Sequence, residues 1–565
     1  MKNGTVARIF YEIADMLEIK GDEYRSRAYR NAARSVETMA EPVEDVAARG
    51  ELETIPGVGG SLAEKIEEIV KSDRLGYHEK LKRSMPVKID ELMSVEGVGP
   101  KKVKLFYNKL KVRSLKDLEK AAKNGRIRKL EGMGEKSEQH ILDSIEFLKR
   151  SGGRTLLGYA IPTADGVKEN LKLLKYVDAV EVAGSIRRMK ETIGDIDVLV
   201  VTKRPSAVME YFTSMRDVEK VVAKGDAKSS VRLKEGMSCD LRVIDRDSFG
   251  SALLYFTGSK DHNVALRRVA IKHGLKLSEY GLFKSDKQIA GRTEKEVYGK
   301  LGMEYIPPEM RENTGEIELA GKKKLPKVVG YGDMKGDLQM HSNWSDGVNT
   351  IEEMAKACKA MGYEYMCMTD HAGRLRVYNG MTEKILSKQG NEIDEINKKI
   401  RGITILKGAE VDITVDGSLS ISDKYLKELD VVVASVHSGM TGDNTKRIAA
   451  AMENEHVDII GHPTGRLIQK RQGYTIDIDR LADVSKRTGT VLEIDAYPNR
   501  LDLGADNVRR VVEKGCNIAI DTDSHSVDHL QYMRLGIATA RRGWVQKKDV
   551  INAMPLKKLK KYLKI

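Results

Sequence analysis

The run GSIRRMKETIGDIDVLVV, residues 184–201, decides how this chain is read. Its second half alternates apolar and polar residues, so Asp195 and Asp197 stand two apart on a strand and project their carboxylates from one face. Two hard oxygen donors side by side suit Mg²⁺, which keeps its other positions for water and phosphate. A third carboxylate, Asp240 in SCDLRVID, lies on another strand-like run and is expected to complete the site. A pair of ions held this way activates a hydroxyl and stabilises a leaving pyrophosphate. Gly184 and Ser185 make a small-residue turn suited to a triphosphate, with Arg188 offsetting its charge. D-x-D alone is commonly a solvated strand edge. The Gly-Ser turn before it and the strand-borne Asp240 after it make the combination specific.

Upstream, three segments share one plan: LETIPGVGGSLAEKI (52–66), LMSVEGVGPKKVKLF (92–106) and LEGMGEKSEQHIL (130–142). Each sets an apolar residue before G-x-G and runs into a helix. The glycine pairs are Gly57 and Gly59, Gly97 and Gly99, and Gly132 and Gly134. Glycine permits positive φ and close backbone approach, and the helix N-terminus adds a positive dipole end. Such turns hold a phosphate without reading a base. No strand precedes any copy, which argues against a dinucleotide loop. Between Lys101 and Lys136 there are 13 Lys/Arg against 4 Asp/Glu, a basic stretch overlapping the second and third copies. One G-x-G is an ordinary tight turn; three with this charge resemble helix-hairpin-helix motifs.

Over residues 1–318 these features together resemble the family X DNA polymerases, whose familiar member is polymerase beta. The resemblance implies that Asp195 and Asp197 bind both metals and that Asp240 assists deprotonation of a primer 3′-hydroxyl. Gly184, Ser185 and Arg188 would contact the β- and γ-phosphates. LLYFTGSKDHNVALRR (253–268) is similar to the family's thumb. There the Tyr255–Phe256–Thr257–Gly258 turn would pack on the sugar, Asn263 would face the minor-groove edge of the nucleotide, and Arg267 would touch the template side. Lys260 replaces the family's Asp near the incoming base. In the first hairpin Lys65 takes the position of the lyase lysine, with Arg25 and Tyr29 beside a 5′-phosphate, although Ser61 replaces a further pocket lysine.

Seven of the eleven histidines follow residue 330. Five sit in compact polar contexts after apolar runs: GDLQMHSNWSDG (336–347), TDH (369–371), SVH (435–437), GHP (461–463) and DTDSH (521–525). Strand ends gather at one rim of an α/β barrel, where catalysis is usual, and imidazoles with carboxylates suit Mn²⁺, Zn²⁺ or Fe²⁺. One such histidine is ordinarily structural; five in the same placement, with Asp346, Glu410 and Asp523, are not coincidence. From about 333 to 565 the set resembles the PHP family, named for polymerase and histidinol phosphatase. The resemblance implies up to three metals: one on His341, Glu410 and Asp523, one on Glu410, His437 and His462, and one on Asp346, His371 and His525. Gln339 stands where the family has the first histidine of H-x-H. Arg374 and Arg466 are candidate phosphate clamps; His456 and His529 are read as structural.

Outward from these motifs, the length exceeds a single core. The expected architecture is multidomain: an all-α helix-hairpin-helix region (1–85, then 86–152), an α+β nucleotidyltransferase palm (153–246) and thumb (247–318), a linker (319–333) and a C-terminal α/β barrel-like PHP domain (334–565). Four cysteines scattered without a C-x-x-C pair argue against a thiolate zinc site or disulfide framework. No run reaches the ~20 apolar residues of a membrane span, and the N-terminus lacks a signal-peptide core. The formal charge of +13 suits an anionic partner. The expectation is a monomeric cytoplasmic, nucleoid-associated repair polymerase acting on gapped or nicked DNA and dNTPs with Mg²⁺ or Mn²⁺, its PHP half trimming 3′ ends. Two alternatives stay open here: a nucleotidyltransferase on another substrate, and a DNA-end scaffold with a residual PHP site.

Overall fold

Amphipathic runs at the start of the chain form helices. In Asn3–Lys20 the residues Val6, Ile9, Phe10, Ile13 and Leu17 make one buried stripe, and the helix stops where Gly21 turns left-handed and returns its N–H to Leu17 and Glu18. The computed structural model describes residues 2–37, 39, 41–72, 74–95, 97–151, 153–373 and 380–565. The chain divides into two compact units. One is built on Met1–Gly152, and the other on Gly153–Asp346, Thr350–Ile468 and Gly473–Ile565. The first is helical throughout its described residues. A single apolar core runs through it from Val6 to Ile145, with Ile66, Leu92 and Phe106 fully buried. The segments 1–85 and 86–152 therefore share a core.

The second unit opens on a five-stranded sheet of β1 (Val177–Val182), β2 (Asp195–Thr202), β3 (Val218–Ala223), β4 (Lys228–Leu233) and β5 (Ser238–Val243). The spatial order is β1-β2-β5-β4-β3, with β2 and β5 parallel and the other pairs antiparallel. Helices Leu157–Lys172 and Pro205–Thr213 contribute Leu157, Ala160, Val208 and Phe212 to the core beneath it. A smaller core around Leu266, Val297 and Tyr298 holds helices Phe249–Thr257, Lys260–Lys272 and Glu294–Lys300. Beside them lies the antiparallel sheet β6 (Lys276–Ser278), β7 (Gly281–Lys284) and β8 (Lys287–Ala290). The Lys-, Gly- and Pro-rich stretch 319–333, expected as a linker, is packed along part of its length. Val329 is fully buried, its N–H reaching Val545 O at 2.8 Å, and Val328 bridges Gln546.

Beyond it, parallel strands follow in chain order: β9 (Gly336–Asp337), β10 (Tyr365–Met368), β11 (His371–Ala372), β12 (Thr404–Asp412), β13 (Val431–Ser435), β14 (Ile459–Ile460), β15 (Val491–Asp495) and β16 (Ile518–Asp521). The two ends meet: Met340 bridges Ser524, His341 N–H donates to Ser524 O at 2.7 Å, and Asp523 N–H donates to Gln339 O. The result is a near-closed barrel. Residues such as Met366, Val432 and Ile520 pack in the large core with the helices, while Cys367, Leu406, Val433 and Val491 cluster with Leu559 of helix Leu556–Leu563. Near-continuous apolar strands are what a parallel sheet covered on both faces demands.

Candidate functional site

Pairing of β2 with β5 sets Asp197 opposite Asp240, and Asp195 lies two residues back on the same face. Burial first, then Asp195 and Asp240, push the Asp197 carboxyl up to about 6. A dication relieves such like-charge crowding, so the donor set fits a divalent metal. Lys228 Nζ lies 2.6 Å from Asp240 Oδ2 and balances that carboxylate. Gly184 has φ +68°, and a Cβ there would lie 2.8 Å from Asp197 Oδ2. Only glycine lets this turn approach the acid.

The thumb residues are brought to the same end. Arg188 reaches the Thr257 carbonyl and Glu312 Oε1, the latter at 3.1 Å from its Nε. Gly258 has φ +71° and gives Arg188 room, since a Cβ would come within 3.1 Å of Nη1. Tyr255 is partly exposed and meets Phe256 edge-on at 5.1 Å. Asn263, expected to face a nucleotide edge, is buried and donates to Tyr255 O at 2.7 Å. Arg267 and Lys260 are exposed.

Each hairpin repeats one geometry. Gly57, Gly97 and Gly132 take φ between +72° and +81°, and the next residue's N–H returns to the carbonyl three back: Val58 to Ile55, Val98 to Val95, Met133 to Leu130. Gly59, Gly99 and Gly134 then accept from the first helical turn. The lyase-type grouping corresponds less well. Lys65 Nζ donates to Ser61 O at 2.7 Å and Ser61 Oγ at 2.8 Å, so its amine is engaged. Tyr29 has its ring in the core at 5% exposure, stacked on Tyr77 and edge-on to Phe10. Arg25 is paired with Asp22.

At the barrel's C-terminal rim the histidines converge on Glu410 of β12. His371 Nδ1 lies 2.8 Å from Glu410 Oε2, and His437 Nε2 and His462 Nε2 lie 3.2 and 3.1 Å from Oε1. His341 Nε2 is 3.0 Å from Asp523 Oδ1 and 3.7 Å from Glu410 Oε2. His525 Nε2 and His371 Nε2 are 3.5 and 3.6 Å from Asp346. Among the described residues, two groups present ligand atoms within 4.8 Å of one another: His341, Asp346, His371 and His525, and His371, Glu410 and His437. His371 thus joins both. His341 is fully buried; its Nε2 faces the Asp523 carboxylate, and its Nδ1 makes no hydrogen bond among the described residues. A buried imidazole crowded by carboxylates, with one nitrogen lacking a hydrogen bond, costs free energy unless a cation joins the group. The rim fits metals.

Charge follows the geometry. Burial opposes it, but Glu410 and Asp412 raise His437 to about 10, while Asp346 and Asp523 raise His525 to about 9. Asp346 is held at about 2 by His525, His341 and His371 against its burial. Gln339 turns away from ligation: with its amide set to suit its surroundings, Nε2 donates to Glu493 at 2.5 and 3.2 Å. The sequence reading missed Glu493, and also Asp412, whose Oδ1 meets His437 Nδ1 at 2.7 Å. E-x-D in AEVDIT, two apart on a strand, was the available signal for Asp412. Arg500, also missed, stands 3.3 Å from Asp495 and 3.8 Å from Asp523. Arg466 is no phosphate clamp; it binds Glu191 at 2.7 and 3.2 Å. Arg374 lies outside the described residues. His529 stacks on Tyr532 at 5.0 Å.

Comparison with known proteins agrees along the chain. Residues 1–75 match the helix-hairpin-helix domain, 89–146 the SAM-like helix-hairpin-helix tandem, 252–312 the DNA polymerase beta thumb, and 337–496 the PHP domain. The chain is 36% identical over 572 residues, spanning all of both chains, to a Bacillus subtilis (strain 168) protein named DNA polymerase/3′-5′ exonuclease PolX. It is 26% identical over 330 residues to DNA polymerase lambda of Rattus norvegicus, covering 53% of this chain and 54% of that one. A probable phosphatase of Thermoanaerobacter sp. (strain X514) shares 31% over 229 residues, 38% of this chain and 88% of the phosphatase.

Proposed function

This chain belongs to the family X DNA polymerases that carry a C-terminal PHP domain, and from that membership we propose how its residues divide the work. It is a DNA polymerase with a 3′–5′ exonuclease as its second activity, and no helix among its described residues is long and apolar enough to cross a membrane. A nucleotidyltransferase on another substrate and an inert DNA-end scaffold give way to this reading. The carrying observation is the β2–β5 register, which sets Asp197 beside Asp240 with Gly184 against it.

Asp195, Asp197 and Asp240 would hold Mg²⁺ or Mn²⁺, which when bound supplies Lewis-acid activation of the 3′-hydroxyl and charge neutralisation at pyrophosphate. The Gly184–Ser185 turn and Arg188 position the triphosphate of a dNTP, and the Tyr255–Gly258 turn closes on its sugar. The hairpins hold the backbone of gapped or nicked DNA through glycine turns and helix N-termini. At the rim, His341, Asp346, His371, Glu410, His437, His462, Asp523 and His525 would hold Mn²⁺, Zn²⁺ or Fe²⁺, with Asp412 fixing the His437 ring. Lys65, engaged by Ser61, is not assigned lyase chemistry.

A 5′-labelled primer on a one-nucleotide-gapped duplex tests the division, with Mg²⁺ or Mn²⁺ and with or without dNTPs. Asp197→Ala should abolish extension, a loss of at least about 10³-fold, and keep DNA binding. His437→Ala should abolish shortening and keep extension. Wild-type extension by Asp197→Ala would overturn the palm assignment.

A further inference from the structure

The polymerase site and the barrel share one carboxylate. Glu312 follows the short turn Pro308–Met310, and its Oε1 accepts from Arg188 Nε at 3.1 Å and from Arg542 Nη1 at 3.3 Å, with Lys190 Nζ at 3.5 Å. Arg188 belongs to the turn after β1; Arg542 is the last residue of helix Met533–Arg542, which follows the His525 strand end in the barrel half. Arg542 Nη1 also donates to the Arg188 carbonyl at 3.3 Å. The grip is doubled next door: Arg541 pairs with Glu309 at 2.8 Å, and Tyr331 donates to the same carboxylate. All three side chains of the central group are largely buried, Arg188 at 14%, Arg542 at 11% and Glu312 at 24% exposure, so their charges act on one another with little screening.

We propose that Glu312 and Arg542 form a charge latch that sets the affinity of the polymerase site for the nucleotide triphosphate. Glu312 holds Arg188 away from phosphate, and Arg542, supplied by the phosphoesterase half, draws on the same carboxylate oxygen and weakens that hold. An incoming triphosphate takes Arg188 from Glu312, and Arg542 with Lys190 then keeps the carboxylate compensated, so its release is not left as a buried unpaired charge. The barrel half thereby tunes nucleotide binding without touching the nucleotide. Both are positioning residues. The inference rests on the reading of Arg188 as a triphosphate contact.

The latch makes predictions of opposite sign. In steady-state gap filling by the full chain, Glu312→Gln frees Arg188 and should lower the dNTP KM about fivefold. Arg542→Ala leaves Glu312 to Arg188 and should raise KM by a similar factor, whereas Arg542→Lys, which keeps the charge, should stay near wild type. In each case kcat and 3′ shortening should hold. The double variant should match Glu312→Gln, because the charge of Arg542 reaches the Arg188 guanidinium through Glu312, and its other contact is to the Arg188 backbone carbonyl. Arg188→Ala separates the premises: an unchanged KM there would sink the reading of Arg188 itself. A raised KM in Arg188→Ala, with Glu312→Gln and Arg542→Ala moving KM in the same direction or not at all, would sink the latch alone. Persistence of the Arg542→Ala effect in the Glu312→Gln background would overturn it too. Should Arg542→Ala not fold, Glu312→Gln decides, since the latch demands a lower KM there.

Discussion

His437 owes its ring orientation to Asp412, whose Oδ1 sits 2.7 Å from Nδ1 and leaves Nε2 directed at Glu410. Carboxylates in this role fix the tautomer of a metal-binding imidazole and raise its basicity, and their loss costs ~10–100-fold in metal affinity or activity. Asp412→Ala should therefore cut 3′ shortening by a factor in that range and release metal at lower chelator concentration, with extension unchanged. Retention of the full metal complement by Asp412→Ala, read by elemental analysis after chelator titration, would remove Asp412 from the site. At this scale the gathering of these side chains was legible, because imidazoles and carboxylates after apolar runs collect at a rim. Their supports were not. Glu493 and Arg500 matter through contacts made across the barrel, and nothing in the local sequence says that Gln339 turns its amide to Glu493. Arg466 shows the converse error: a free-looking arginine is spent on Glu191, 275 residues away.

Between elements, one buried acid ties the palm to the thumb. Glu294, at the start of helix Glu294–Lys300, receives Arg187 at 2.7 and 2.8 Å and the fully buried Arg311 at 2.6 Å. Burial alone would raise its carboxyl; Arg311 and Arg187 overcome that and hold it at about 2, below the ordinary 4.5. A depressed folded pKa gives stability that is present above 4.5 and lost as pH falls toward 2, worth on the order of 3 kcal/mol at neutral pH. Glu294→Gln should lower the melting temperature at pH 7 by about 5 °C, with the gap to wild type closing between pH 4.5 and 2. An equal gap at both pH values would mean that packing rather than charge carries the contact. The hairpins make a second claim at this scale. Gly97→Ala forces a side chain into φ +72°, at a cost of about 1–2 kcal/mol. It should weaken binding to gapped DNA and flatten its salt dependence in an anisotropy titration; unaltered binding would make that turn merely structural. Element types were legible from period and glycine placement. That the stretch 319–333 packs was not legible, because Lys, Gly and Pro signal a loop whether or not Val329 within it is buried.

At the scale of the whole second unit, the palm core does not end with the palm. Leu501 and Leu535, from the barrel half, are buried in the same cluster as Leu157, Ala160 and Ile186. Sequence could not show this, since a core assembled from residues more than 300 apart leaves no local period. The contact depends on one small residue. Gly158 lies in helix Leu157–Lys172, and a Cβ built there would fall 2.7 Å from Pro498 Cβ, 2.9 Å from Pro498 Cγ and 3.0 Å from Leu535 Cδ1. The proline ring cannot rotate away, so any side chain must push helix and barrel apart. Overpacking of this kind costs about 1–3 kcal/mol. Gly158→Val should lower the melting temperature by several degrees and make the 319–333 segment, now pinned through Val329, more sensitive to limited proteolysis. Extension and nucleotide affinity should both suffer, because Arg466 with Glu191 and Arg542 with Glu312 cross the same boundary. Gly158→Ala should do the same to a smaller degree. If Gly158→Val melted and resisted protease like the parent, palm and barrel would be neighbours rather than one packed body, and coupling between the two active sites would lose its physical basis.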